Sequence, residues 1–115
     1  MRFALIVTVS PTQDTSQVAL QFTQTLLKKH TLHALCFMGK GVLHADESSL
    51  AAKEWQHLIM SKNLDTYLCS SATQQYLKET QLANDFVVSG LGEMTLLSLE
   101  ADKLIAFSEA EGVSQ

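Results

Sequence analysis

Two cysteines, Cys36 and Cys69, are the residues of this 115-residue chain best suited to nucleophilic chemistry. Cys69 ends the apolar segment "LDTYLC", and Ser70 and Ser71 after it are good helix N-cap candidates. Backbone N–H groups and the helix dipole at such a junction lower the pKa of a thiol and raise its thiolate fraction. The alternative is a small residue that closes a strand, because cysteines are often simply buried. The residues alone leave both interpretations open.

Two glycines follow another apolar segment, in "SGLGE" at residues 89–93. This stretch resembles a glycine-rich turn that binds an anion before a helix, and Gly90 and Gly92 could line a site or a subunit contact. The alternative is a tight strand-to-helix turn that needs glycine backbone angles.

His44 lies in the segment "MGKGVLHADESS", which reads as a loop after the second strand and could bring the imidazole near Cys69. An ordinary loop histidine is the alternative. The four histidines show no metal-ligand spacing with either cysteine, so the sequence predicts no metal site. The hydroxyl-rich "TVSPTQDTS" has no glycine, and Pro11 lacks an N–H donor, which disfavours a phosphate cradle there.

Alternating apolar and amphipathic segments must position these residues. The pattern βαβαβαβαβ predicts an α/β fold: a three-layer, flavodoxin-like, parallel five-stranded sheet with helices on both faces and strand order 2-1-3-4-5. Sites in such sheets lie beyond the carboxyl ends of the strands, where Cys69 is expected. The predicted strands cover residues 3–9, 32–37, 64–69, 86–90 and 103–107, and the predicted helices cover residues 14–30, 49–63, 70–78 and 92–101.

Within the first helix, Val18, Phe22 and Leu26 are expected to face the sheet. Residues 1–108 are expected to form a single α/β domain, and residues 109–115 a loose C-terminal tail. Cys36 is predicted to be a buried thiol in the second strand. With the first strand between the second and the third, the two cysteines would be roughly 10 Å apart, too far for a disulfide.

Composition limits the functional classes. Apolar residues make up 46% of the chain and charged residues 17%, and the net charge is −4 with scattered basic residues. Direct nucleic-acid binding therefore has little electrostatic support. The apolar start "FALIVTV" is too short for a signal peptide and predicts a buried strand, and no apolar run reaches the length of a membrane span. Two cysteines without a disulfide framework favour a reducing, cytoplasmic location.

Four stretches resemble the DsrE/TusD-like sulfur-relay family throughout the chain. The most specific features are the cysteine after the third strand and "SGLG" followed by a helix and an "AD-K" strand. The matching stretches are "MRFALIVTVSP", "FTQTLLKKHTLHALCFMGKGVLHA", "WQHLIMSKNLDTYLCSSA" and "FVVSGLGEMTLLSLEADKLIAF".

The resemblance implies a sulfurtransferase that needs no cofactor and carries sulfane sulfur as a persulfide on Cys69. Its implied partners are TusB- and TusC-like sister subunits in a hetero-oligomer, an upstream TusA-like donor and a downstream TusE/DsrC-like acceptor. The implied destination is the 2-thio group of tRNA wobble uridine. Lys40 stands where relatives often carry a basic residue, in a loop near the site. The candidate site-lining residues are Ser70, Ser71, Lys40, Gly41, His44, Gly90 and Gly92.

Two other functions remain in competition at this stage. A non-catalytic structural subunit of the same kind of complex would keep the fold with an unreactive Cys69. A flavodoxin-like nucleotide-binding module would need a phosphate site after the first strand, and the missing glycines there argue against it.

Overall fold

Five short strands form one parallel sheet, as the alternation of apolar and amphipathic segments predicts. The structure is a computed structural model that describes residues 1–78 and 81–108, so the tail expected over residues 109–115 lies outside the described residues. The strands are β1 (Arg2–Val7), β2 (Thr31–Phe37), β3 (Thr66–Cys69), β4 (Val87–Ser89) and β5 (Lys103–Phe107). The helices are α1 (Asp14–Leu26), α2 (Leu50–Lys62), α3 (Ser70–Tyr76) and α4 (Leu91–Glu100), with a 3₁₀ helix at Gly39–Ala45.

The strand order is β4-β3-β2-β1-β5, so the predicted order 2-1-3-4-5 was wrong. From β1 to β4 each strand lies beside the one before it, and the chain moves in one direction across the sheet. It then returns through α4 to place β5 beside β1. Alternation of strands and helices constrains their number and their parallel sense, but both orders satisfy it.

Helices cover both faces of the sheet. On one face, Phe22 of α1 contacts Phe107 of β5, with ring centroids 5.5 Å apart, and Trp55 of α2 contacts Phe37 of β2 at 5.2 Å. On the other face, α4 packs across β1, β2 and β3 and buries Met94. Among the described residues, no helix combines the length and the apolar character that crossing a bilayer requires.

The α4 face is less completely covered than the face under α1 and α2. A cavity of about 370 Å³ lies between α4 and the sheet, and Ile6, Cys36 and Leu104 are part of its lining. Several leucines on this side are more than half exposed, and Leu99 reaches 76%. The exposed leucines are Leu91, Leu96, Leu99 and Leu104.

The first helix differs from its prediction in its length and in which of its residues face the sheet. It ends at Leu26 rather than near His30, and Val18 is 53% exposed although it was expected to face the sheet. The buried stripe instead includes the small residues Ser16 and Ala19. The buried residues are Ser16, Ala19, Leu20, Thr23 and Leu26.

The segment predicted as a loop after β2 contains the 3₁₀ helix, and two glycines explain its path. Gly39 has a φ of +53°, a left-handed conformation that favours glycine. A Cβ on Gly41 would lie 2.0 Å from the carbonyl oxygen of Val7, so only glycine lets this turn press against the end of β1.

The second helix follows its sequence signals closely. The Ser49 hydroxyl accepts a hydrogen bond from the Ala52 N–H at 3.1 Å, as an N-cap residue does. Asn63 ends the helix in the left-handed conformation. Of the apolar residues expected to form one face of this helix, Trp55, Leu58 and Ile59 are buried, but Leu50 is 72% exposed.

Candidate active site

Cys69 lies at the junction of β3 and α3, where the sequence predicts it. It is the last residue of β3 and also the N-cap residue of α3, which begins at Ser70, so the prediction of Ser70 or Ser71 as the N-cap residue was wrong. Its side chain is only 6% exposed, and its Sγ lies 3.4 Å from the Ser71 hydroxyl. The Thr73 hydroxyl donates to the Cys69 carbonyl at 2.8 Å, which ties the first turn of the helix to the strand end. The thiol is therefore held at the carboxyl edge of the sheet.

The surroundings of Cys69 favour its thiolate. Burial acts to raise the pKa of this thiol, but hydrogen bonds from the Ser71 hydroxyl and from the backbone N–H groups of Ala72 and Ser71 outweigh it, so the pKa is lowered. A thiolate is the reactive form of cysteine, both as a nucleophile and in thiol–disulfide exchange. The three donors come from Ser71 and Ala72, the second and third residues after Cys69 in the chain.

The "SGLG" turn lies beside Cys69, because Ser89 of β4 pairs with Cys69 of β3. Gly90 directly follows Ser89, and Gly92 lies in the first turn of α4. The Ser89 hydroxyl donates to the Glu93 carboxylate, which closes this turn. The fold thus brings the two most specific sequence features together at one edge of the sheet.

Ser70 is the first residue of α3. It lines a cleft of about 580 Å³ between α3 and β4, together with Thr73 and Val88. Cys69 is not part of the lining of this cleft.

Lys40 and Gly41 belong to the 3₁₀ helix, which packs against α3. Lys40 lines a separate cleft of about 440 Å³ with Thr12 and Tyr76, and Cys69 is not part of the lining of that cleft. Gly41 presses on the end of β1, so its role in the structure is close backbone packing.

His44 is not an exposed loop residue beside the thiol. It is 1% exposed, and both of its ring nitrogens have partners elsewhere. The Trp55 indole N–H donates to Nδ1 at 3.0 Å, and Nε2 donates to the Val9 carbonyl at 3.0 Å. Burial lowers the pKa of His44 to about 4, although the hydrogen bond to Val9 acts in the opposite direction. The ring is therefore neutral and has no nitrogen available to Cys69.

Cys36 is fully buried in β2, and burial raises the pKa of its thiol to about 11. Both cysteines are free. The predicted sheet had the first strand between the two cysteines. In the structure β2 pairs directly with β3, and Cys36 is opposite Tyr67. Cys69 is two residues farther along β3, which puts the Cα atoms about 8 Å apart, still beyond disulfide range. Because its pKa is raised, Cys36 forms the reactive thiolate less readily than Cys69 does.

Three neighbours of the site were missed by sequence reasoning: Ser89, Glu93 and Tyr67. Burial, together with the nearby negative charges of Asp65 and Glu93, raises the pKa of Tyr67. The register between β3 and β4 places Ser89, and with it Glu93, beside Cys69, and no local sequence signal gives that register. Tyr67 lies two residues before Cys69 in the same strand. Within residues 1–78 and 81–108, no group of three or more His, Cys, Asp and Glu side chains is arranged to hold a metal ion.

Comparison with known sequences gives consistent matches over nearly the whole chain. A profile of the DsrE/DsrF-like family matches residues 1–107. The chain is 30% identical to "Sulfurtransferase TusD" of Enterobacter sp. (strain 638), with 93% of this chain and 100% of that protein covered. It is 31% identical to "Sulfurtransferase TusD homolog" of Haemophilus influenzae, with 76% of this chain and 84% of that protein covered.

Two solved structures share the fold. The ychN protein of E. coli superposes with a TM-score of 0.70 at 18% identity, and covers 93% of this chain and 100% of its own. The protein MTH1491 of Methanobacterium thermoautotrophicum, whose function is unknown, superposes with a TM-score of 0.75 at 13% identity, and covers 90% and 97%. At these identities the superpositions establish the architecture.

Proposed function

This chain belongs to the DsrE/DsrF-like family, and from that premise we propose that it is a sulfurtransferase that carries sulfane sulfur as a persulfide on Cys69. The observation that carries the proposal is the position of Cys69 at the β3–α3 junction, with its Sγ 3.4 Å from the Ser71 hydroxyl. The lowered pKa of this thiol is consistent with that position. The two relatives named sulfurtransferase support the same activity.

The proposed reaction needs only thiol chemistry. The Cys69 thiolate attacks the outer sulfur of a protonated donor persulfide, a bond forms between Sγ and that sulfur, and the sulfur–sulfur bond of the donor breaks. The donor leaves as a thiolate, and the proton stays on the transferred sulfur. An acceptor thiolate then attacks the outer sulfur on Cys69 in the same way, which regenerates the Cys69 thiolate. Each transfer conserves charge, protons and oxidation state, so no external oxidant is consumed.

The partners and destination are also part of the proposal. We propose a TusA-like donor, a TusE/DsrC-like acceptor and delivery toward 2-thiolation of tRNA wobble uridine, in the cytoplasm. A net charge of −4 supports contact with carrier proteins rather than with tRNA itself. Sister TusB- and TusC-like subunits would pack on the α4 face, where exposed leucines and an apolar cavity lie.

The test is mass spectrometry of the intact protein after incubation with a persulfide donor. We expect a gain of one sulfur atom, located on Cys69 by peptide mapping. Cys69→Ser should remove the adduct and sulfur transfer, and Cys36→Ala, the matched control at the other thiol, should keep both. An adduct that persists in Cys69→Ser would overturn the proposal.

A non-catalytic structural subunit is the second candidate, and the low exposure of Cys69 favours it. At 6% exposure, the thiol meets a donor only through a narrow approach. A structural subunit would enter the complex equally well with Cys69→Ser, and sulfur transfer by that complex would be unchanged. Loss of transfer with an intact complex would instead identify Cys69 as the carrier.

A further inference from the structure

A buried polar cluster at the carboxyl edge of the sheet is unused by the proposed transfer reaction. His44, Trp55, Phe37 and Val9 are each at most 1% exposed. The Trp55 indole can only donate, so Nδ1 of His44 must accept and the proton must be on Nε2, which donates to the Val9 carbonyl. The ring also packs on Phe37, with centroids 5.3 Å apart. Both nitrogens are thus satisfied in a single tautomer.

The cluster joins three separate elements. His44 belongs to the 3₁₀ helix, Trp55 to α2, and Val9 to the segment that leaves β1. The 3₁₀ helix is held a second time where Gly41 presses on the Val7 carbonyl. Its position at the carboxyl edge is therefore determined by contacts from two directions.

The 3₁₀ helix in turn confines α3, the helix that supplies donors to Cys69. The two helices pack directly on each other. Beyond α3, the Ala83 N–H donates to the Ala45 carbonyl and the Glu47 N–H donates to the Gln81 carbonyl, each at 2.7 Å. Ala45 and Glu47, one and three residues after His44, therefore hold Gln81 and Ala83, while β3 holds the chain just before α3. A displacement of the 3₁₀ helix would shift the N–H groups that face the Cys69 sulfur.

We propose that His44 is a positioning residue for Cys69, which acts through the 3₁₀ helix and α3 to hold the hydrogen-bond donors of Ser71 and Ala72 against the sulfur. This inference rests on the proposed function, since it concerns the reactivity of the same thiol. His44 itself exchanges no proton with Cys69, because both ring nitrogens are bonded elsewhere.

The test compares two substitutions in a Cys36→Ala background, where Cys69 is the sole thiol. His44→Gln keeps an acceptor for Trp55 and a donor for Val9, whereas His44→Met keeps the volume and loses both. The readout is the rate of Cys69 alkylation by iodoacetamide as a function of pH. His44→Gln should retain the parent profile. His44→Met should raise the apparent pKa of Cys69 and slow alkylation at neutral pH by at least about threefold, which corresponds to half a pKa unit.

A control separates positioning from a general loss of stability. Leu26→Ala removes a buried side chain of α1 and should lower stability without changing the alkylation profile. If His44→Met does not fold, Trp55→Phe takes its place, because it removes the indole donor to Nδ1 and keeps an aromatic, though smaller, side chain, and the same rise in apparent pKa is expected. A parent-like profile in a folded His44→Met or Trp55→Phe variant would overturn the positioning role.

This outcome is independent of sulfur transfer. Alkylation reports on the Cys69 thiolate whether or not the protein accepts a persulfide. An unchanged profile in a protein that still forms the Cys69 persulfide would defeat only the positioning role. A shifted profile in a protein that never forms the persulfide would defeat only the proposed function.

Discussion

At the scale of single residues, Ser71 should set part of the reactivity of Cys69. Its hydroxyl lies 3.4 Å from Sγ and is the one side-chain donor among the causes that lower the pKa of this thiol. Ser71→Ala should therefore raise that pKa. A lost hydrogen bond of about 1 kcal/mol would slow alkylation at neutral pH by roughly fivefold.

The adjacent serine provides the control for this prediction. Ser70 lines the cleft beside α3 and has no hydrogen bond to the sulfur, so Ser70→Ala should leave the alkylation profile unchanged. Equal effects of the two substitutions would mean that helix propensity, rather than the hydrogen bond, changes the thiol.

A second residue-scale prediction concerns Thr66 in β3. Its hydroxyl is buried and has no hydrogen-bond partner among the described residues. Thr66→Val should raise the free energy of unfolding by about 1 kcal/mol, because it removes an unsatisfied polar group at nearly constant volume. Thr23→Val is the matched control, since the Thr23 hydroxyl donates to the Ala19 carbonyl at 2.8 Å and its loss should not stabilise. Urea unfolding of both variants measures the difference, and a destabilised Thr66→Val protein would contradict it.

How far sequence predicts a site depends on whether the contacts are local. Cys69, Ser71 and the β3–α3 junction follow from neighbours in the chain, so the donors to the thiol were predictable from caps and strand ends. The cluster of His44, Trp55 and Val9 joins three separate parts of the chain and leaves no periodic signal. An isolated histidine in a glycine-containing segment therefore reads as a loop residue when it is in fact buried.

At the scale of elements, the 3₁₀ helix should tolerate substitution very unevenly at its two glycines. Gly41→Ala would put a Cβ 2.0 Å from the Val7 carbonyl oxygen and should cost at least about 3 kcal/mol. Gly39→Ala meets no atom but keeps a φ of +53°, which should cost about 1 kcal/mol. Thermal unfolding of both variants tests this order.

At Gly92, in contrast, a change from glycine to alanine should increase the stability of the protein. It lies in α4 with open space around its Cα, so Gly92→Ala should stabilise the protein by up to about 1 kcal/mol through helix propensity. A Gly41→Ala protein as stable as Gly92→Ala would show that the 3₁₀ helix does not need its close approach to β1.

Periodicity predicts which segments form strands and helices, but it does not predict where each strand lies in the sheet. The segments for β5, α2 and α4 lie where the apolar patterns indicate, within a residue or two. Strand order instead depends on which face each connecting helix covers, and amphipathic helices fit either face. For α1, the small residues Ala19 and Ser16 are buried and the larger Val18 is exposed, although a purely hydrophobic criterion places Val18 inside.

At the scale of the whole molecule, the proposed sister subunits should bind the α4 face. Leu96 and Leu99 of α4 are 64% and 76% exposed. The double substitution Leu96→Asp with Leu99→Asp should abolish co-purification with co-expressed TusB- and TusC-like chains, because it places charge in the centre of an apolar contact. Val18→Asp, at an exposed apolar residue of α1 on the other face, should leave the complex intact. Light scattering on the purified complexes measures both, and retention of the partners by the double variant would exclude this face.

The stability of the whole protein should fall in mildly acidic solution because of His44. Its pKa is lowered by burial from 6.5 to about 4, so between these values the unfolded chain binds a proton that the folded protein does not. The contribution of neutral His44 to stability is fully present above about pH 6.5 and is lost as the pH falls from 6.5 to about 4. At 1.36 kcal/mol for each unit of difference in pKa, it amounts to about 3 kcal/mol.

Urea unfolding of the parent protein and of His44→Gln at several pH values measures this contribution. Gln has no titrating group but can keep both hydrogen bonds, so its stability should decline less steeply below pH 6.5 than that of the parent. The carboxylates are common to both proteins, and their titration cancels in the comparison. Parallel curves for the two proteins would mean that His44 binds its proton equally well in the folded and unfolded states, which the contacts to Trp55 and Val9 oppose.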